Sequence, residues 1–204
     1  MIAALTGDIV GSTQLERADA EALIEYLKKE LAALFGEDTA VFRGDSFQAV
    51  EKNVQSALPK AIMLRAKLKT WLDGRGWPSG DVRIAIGYGE SGTIARQISE
   101  SNGEAFRLSG RALDAMGDEL LALACADAGK NTTLQVLASL LDAVMQGWTA
   151  PQAEVAAWLL NGSTQTEIAA ALGISQPAVH KRAQRTRWAQ IGNAIRYIHN
   201  LINE

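Results

Sequence analysis

The sequence predicts an α+β chain: a mixed sheet-and-helix portion, then an all-helical one. Three observations predict it. Val82-Arg83-Ile84-Ala85-Ile86-Gly87-Tyr88-Gly89 alternates strictly and reads as a strand. Leu15, Leu23, Ile24, Leu27, Leu31, Leu34 and Phe35 fall at largely helical spacing. After residue 128 every apolar run is helical, and no further strand pattern occurs.

In chain order, Ile2-Ala3-Ala4-Leu5 runs into Gly7-Asp8 and then Gly11-Ser12-Thr13, which reads as strand, tight loop and helix. Ser12 or Thr13 is the expected helix cap, and Gly11 lets the backbone approach a ligand. Gly36 ends the helix. Two strand-like runs flank Gly44-Asp45, a hairpin with Asp45 at its tip. Residues 54–72 return to helical spacing, which the cluster Gly74, Gly76, Pro78 and Gly80 breaks. After the strand 82–89, a helix is expected over Gly103 to Met116 and a strand over Leu120–Ala126. The order β-α-β-β-α-β, then helix and strand, is a split βαβ, ferredoxin-like arrangement with one sheet face under helices. Asp8 and Asp45 then sit on neighbouring strands. Two such carboxylates repel in the absence of a cation, and Mg²⁺ or Mn²⁺ carrying a nucleotide's phosphates offsets that repulsion. Backbone N–H groups of Gly11, Ser12 and Thr13 are suited to phosphate oxygens.

The remaining composition narrows the classes. The 204 residues carry a net charge of −3, which does not advertise nucleic-acid binding. The charge is unevenly placed: residues 1–128 have 14 Lys and Arg against 19 Asp and Glu, and residues 129–204 have 6 against 4. That asymmetry suggests two modules, 1–128 and 129–204. The single cysteine, Cys125, excludes an internal disulfide and is expected to be a buried small side chain. No apolar run has spanning length and no signal peptide is visible, so a cytoplasmic location is expected. Trp71 and Trp77 read as packing residues, and Glu16, Glu21 and Glu25 as a solvated helix face.

In the second module, Asn131-Thr132-Thr133 is the expected cap of a helix through Leu134, Leu137, Leu141 and Met145 to Trp148. Pro151 opens the next helix and Asn161-Gly162 closes it. Thr164-Gln165-Thr166-Glu167 is a capping box. Gly173 supplies a left-handed turn, and Ser175 caps a second helix with Pro177 in its first turn. Ile168, Leu172, Ile174 and Val179 form the shared core. The pattern reads as a helix-turn-helix, with Gln176, Ala178, His180, Lys181, Arg182, Arg185 and Arg187 on the recognition surface toward double-stranded DNA. Gln and Arg pair bidentately with adenine and guanine edges. Trp188 to Ile202, with Ile191, Ile195, Ile198 and Ile202 in register, reads as a packing or dimerisation helix.

Gly7-Asp8-Ile9-Val10-Gly11-Ser12-Thr13 resembles the first metal-binding segment of class III nucleotide cyclases. Arg43-Gly44-Asp45-Ser46-Phe47 resembles their second metal-binding hairpin and the related hairpin of diguanylate cyclases. Arg83 to Glu90 is similar to the strand that follows. Gly103 to Arg111 resembles the helix that ends in a catalytic arginine. Within this superfamily the set is most similar to the SatD family. The resemblance implies metal ligation by Asp8, the Ile9 carbonyl and Asp45. It implies phosphate contacts at Gly11, Ser12, Thr13, Arg43 and Gly44, and transition-state stabilisation by Arg111 with Arg107 beside it. Two departures count against an adenylate cyclase. Val41 stands where those enzymes carry a base-selecting lysine, and Arg107 where they carry a ribose-orienting asparagine. Glu100 stands near the position of a base-reading acid. The reading is therefore a DNA-binding transcriptional regulator with a cyclase-like, nucleotide-sensing domain, working as a homodimer. The alternatives are a metal-dependent nucleotidyl cyclase or nucleotidyltransferase with atypical base selection, and a cyclase-like domain kept only for dimerisation.

Overall fold

A computed structural model describes residues 1–42, 44–92 and 101–204; Arg43 and Glu100 lie outside them. The chain is a mixed α+β fold around a five-stranded sheet. Its elements are β1 (Ile2–Ile9), α1 (Arg17–Phe35), β2 (Thr39–Phe42), β3 (Ser46–Glu51), α2 (Val54–Gly74), β4 (Val82–Gly89), α3 (Glu104–Ala115) and β5 (Leu121–Cys125). Five helices follow: α4 (Ala128–Gln146), α5 (Ala150–Leu160), α6 (Gln165–Leu172), α7 (Gln176–Arg185) and α8 (Trp188–Asn203). The strand order is β2-β3-β1-β4-β5. Among the described strands only the β4–β5 pair is parallel, because α3 carries the chain back between them.

Side-chain alternation decides what each face of the sheet buries. Ala3, Leu5 and Ile9 of β1 and Ile84, Ile86 and Tyr88 of β4 join the main core with Leu23, Leu27 and Leu31 of α1 and Leu58, Ile62, Leu64 and Leu68 of α2. The opposite face is not bare, as the sequence led us to expect. Ile2, Ala4 and Val50 pack there against Ala105 and Phe106 of α3. Gly87 makes this possible: a Cβ there would lie 2.2 Å from the Ala105 carbonyl oxygen and 2.5 Å from the Ser109 nitrogen. Thr6 and Ser109 hydroxyls meet across the same seam at 2.8 Å.

The helices after residue 128 divide in two by packing. Leu134, Ala138, Leu141, Met145, Ala153, Ala156, Ile191 and Ile198 belong to the same core as α1, α2 and the sheet. Thus α8, expected as a packing or dimerisation helix, buries its isoleucine stripe within its own chain. Val155, Ile168, Ala169, Val179 and Ala183 form a separate small cluster around α6 and α7. The first group is also tied by charge. Arg65 of α2 donates to both oxygens of Asp81, at 2.8 and 3.1 Å, and to Asp142 of α4. Asp142 Oδ2 further accepts the Leu120 amide and the Gln146 side chain, both at 2.8 Å. All three charged side chains are buried.

Three local expectations are corrected. Ser12 and Thr13 do not cap α1. A short 3-10 turn occupies Ser12–Gln14, and α1 begins at Arg17 after Glu16, whose side chain makes no cap bond. Asp127, not Asn131, caps α4 by accepting the Lys130 amide at 2.9 Å, which starts the helix three residues before Asn131. Asn131 instead accepts the Cys125 amide at 3.0 Å. Cys125 is half-buried, and that burial raises its thiol pKa above the usual range. No helix among the described residues is long and apolar enough to cross a membrane.

Candidate functional site

The even-numbered residues of β1 face α3, so Asp8 emerges at the end of that face, one strand in from the β3 hairpin. There a cleft of about 500 Å³ is lined by Asp8, Ile9, Gly11, Ser12, Thr13, Asp45, Ser46 and Arg83, closed by Gly117, Asp118 and Leu120. A neighbouring hollow of about 200 Å³ shares Ser12, Thr13 and Asp45 and adds Gly44. The fold thus brings together Asp8, Ile9, Gly11, Ser12, Thr13, Gly44 and Asp45 from two loops some 35 residues apart. Ser12 donates its hydroxyl hydrogen bond to Asp45, which joins the loops directly. Gly11 is left-handed at φ 72°, and its Cβ position lies 3.1 Å from the Trp77 ring. The left-handed backbone favours glycine there, and any Cβ would also press on the Trp77 ring.

Arg83 is the member that sequence reasoning did not single out. The β1–β4 register sets it opposite Asp8. Its Nε and Nη2 donate to Oδ1 and Oδ2 of Asp8 at 2.8 and 2.6 Å, a bidentate pair. Those bonds raise the guanidinium pKa above its usual value, with further attraction from Asp8, Asp114 and Asp45. Its one legible signal was a charged residue in an otherwise apolar strand.

The donor set bears on which ion the cleft accepts. Two carboxylates and a backbone carbonyl are hard oxygen ligands, suited to Mg²⁺ or Mn²⁺. Among the described residues no three His, Cys, Asp or Glu side chains cluster as a metal set. A divalent ion here would complete its shell with water and phosphate oxygens, as Mg²⁺ commonly does. A carboxylate offers about four lone-pair directions, and Arg83 takes two of those on Asp8. The residues fit a cation that arrives with phosphate and competes with Arg83.

Arg107 and Arg111 are not in this cleft. Both are exposed on α3, and neither lines the hollow around Asp8. The helical end is arranged differently. Thr164 and Glu167 form the expected capping box, Gly173 is left-handed at φ 64°, and Ser175 caps α7. Gln176, His180, Lys181 and Arg185 are exposed along α7, while Ala178 and Arg182 are half-buried. Arg182 faces Glu154 of α5 at 4.0 Å. Gln176 donates to Gln165 at 2.8 Å, joining α7 to α6.

No protein-family model and no curated protein matches this sequence. Among solved structures the chain is similar to the adenylyl cyclase CyaB from P. aeruginosa, with 18% identity and a TM-score of 0.44, over 60% of this chain and 76% of that one.

Proposed function

We propose that the chain is a DNA-binding regulator whose sheet portion binds a nucleotide with Mg²⁺ or Mn²⁺. The observation that carries this reading is the two-sided character of α7. Val179 and Ala183 are buried against Ile168 and Val155, while Gln176, His180, Lys181 and Arg185 are exposed. A left-handed Gly173 sets α7 against α6, which supports a helix-turn-helix with α7 as recognition helix. The antiparallel order β2-β3-β1-β4 is that of a ferredoxin-like core. It supports reading the Asp8 and Asp45 cleft as a cyclase-like nucleotide site.

Binding is placed ahead of turnover. The enzyme reading is favoured by the carboxylate pair alone, because Arg107 and Arg111 lie outside the cleft. Positioned charge supplies much of the acceleration in phosphoryl transfer, and the guanidinium that lines the hollow, Arg83, is held by Asp8. In a homodimer two α7 helices would read two half-sites about 10 base pairs apart or a multiple of that.

The test selects duplexes from a random pool with the full chain, then measures anisotropy at fixed salt. Lys181→Ala and Arg185→Ala are each expected to weaken binding and, for a phosphate contact, to lower the salt slope by about 1. Selected and scrambled duplexes bound equally would end the DNA reading. For the cleft, a Mg²⁺-dependent thermal shift with common nucleotides is expected, and Asp45→Ala should remove it. No shift with any nucleotide would end that half.

A further inference from the structure

A second cleft, of about 560 Å³, lies between α1, α2 and α5. Its walls are single helix faces. Met63, Lys67 and Trp71 stand one turn apart on α2, Glu154 and Trp158 do so on α5, and Asn161 is the C-cap of α5. Tyr26 and Leu34 supply the α1 wall. The volume falls within the roughly 300–1,000 Å³ of small-molecule sites, and the apolar lining with a few polar groups is their usual character.

Charge and ring geometry narrow the occupant. Lys67 donates to Glu30 at 2.6 Å, and Glu154 faces Arg182. Both charges at the cleft are matched within the protein, so an incoming ion would meet no uncompensated partner. Asn161 offers a donor and an acceptor on one edge. Tyr26 stacks on Trp71 at 5.1 Å and 13°, and the Arg75 guanidinium lies over the same Trp71 ring at 4.8 Å. Trp158 is 36% exposed, while Tyr26 and Trp71 are half-buried. We propose that this cleft binds a neutral, planar aromatic small molecule that stacks on Trp158 and turns a donor–acceptor edge to Asn161. The proposal is independent of the DNA and nucleotide readings.

The test titrates the full chain with phenylnaphthylamine, a neutral planar dye, and with its anionic analogue anilinonaphthalene sulfonate. One saturable site for the neutral dye is expected, with the sulfonate at least about tenfold weaker. Trp158→Ala and Ala33→Trp should each weaken the neutral dye about tenfold or more. Ala33 is exposed at the cleft, so filling from there leaves the core intact, and an unchanged melting temperature verifies that. Unsaturable binding, equal affinity in the variants, or a sulfonate as tight as the neutral dye would each overturn the proposal. So would a lower sedimentation mass in Trp158→Ala, which would make the cleft a contact between copies.

Discussion

Arg83 and Asp8 face each other across the β1–β4 ladder, and the guanidinium holds both carboxylate oxygens, at 2.8 and 2.6 Å. The protein thus supplies its own cation at the position where the sequence pattern calls for a metal. Arg83→Gln should therefore raise the Mg²⁺ affinity of the cleft, by about tenfold or more, read as a larger Mg²⁺-dependent thermal shift. The side chains are 34% and 19% exposed, so in the absence of metal the lost pair should cost only about 1 kcal/mol. Unchanged Mg²⁺ response in Arg83→Gln would mean that Arg83 and the ion do not compete.

The Arg65 network should respond far more strongly. Its side chain is 3% exposed, and those of Asp81 and Asp142 are 7% and 2%. Removing Arg65 leaves the buried Asp142 carboxylate without its cation, at about 3–5 kcal/mol. Arg65→Met should lower the unfolding free energy by that amount in urea titrations. A loss below about 1 kcal/mol would mean water reaches the site.

Gly87 carries the α3 seam. Gly87→Ala sets a methyl against backbone, which cannot swing aside as a side chain can. Overpacking of this kind costs about 1–3 kcal/mol. The control is Gly110→Ala on α3, the helix that Gly87 of β4 receives, where a Cβ meets nothing within 4 Å. That change should be neutral or stabilising in thermal melts, because alanine favours helix.

The α6 cap should show a pH signature. Glu167 accepts the Thr164 amide at 2.7 Å and its hydroxyl at 2.8 Å, and these bonds hold its carboxyl below the usual range. A carboxyl depressed in the folded state contributes above its unfolded value, and the contribution disappears as pH falls through the folded value. The protection factor of the Thr164 amide should therefore fall on acidification below the ordinary glutamate range. Glu167→Gln, which cannot titrate, should show no such step.

Much of this was legible in the sequence because it is local. The strand Val82–Gly89 matched its alternation to the residue, and Thr164, Gly173 and Ser175 each took the conformation their chemistry favours. Asp8 and Asp45 reach one cleft because a βαββαβ order leaves β1 beside β3. Arg83 was not legible as Asp8's partner, since cross-strand register over 75 residues is fixed by packing rather than by spacing. Nor was the second covered face of the sheet, which depends on α3 settling onto a glycine. The caps of α1 and α4 failed for a nearer reason. Ser, Thr and Asn also bond within loops, and here Ser12 and Asn131 are used to hold Asp45 and Cys125.

The three-way contact of Arg65 with Asp81 and Asp142 also constrains how this chain can drift. Replacement of Arg65 alone passes through a state with an orphaned Asp142 carboxylate, and replacement of either aspartate alone strips the guanidinium of half its partners. Joint replacement by apolar residues removes the three ions together, and its cost then falls on the Leu120 amide that Asp142 accepts and the Lys69 contact with Asp81. Lineages should accordingly carry all three charges or none. In an alignment, positions 65, 81 and 142 would then covary as a unit, a record of the dock between α2 and α4 written in descent.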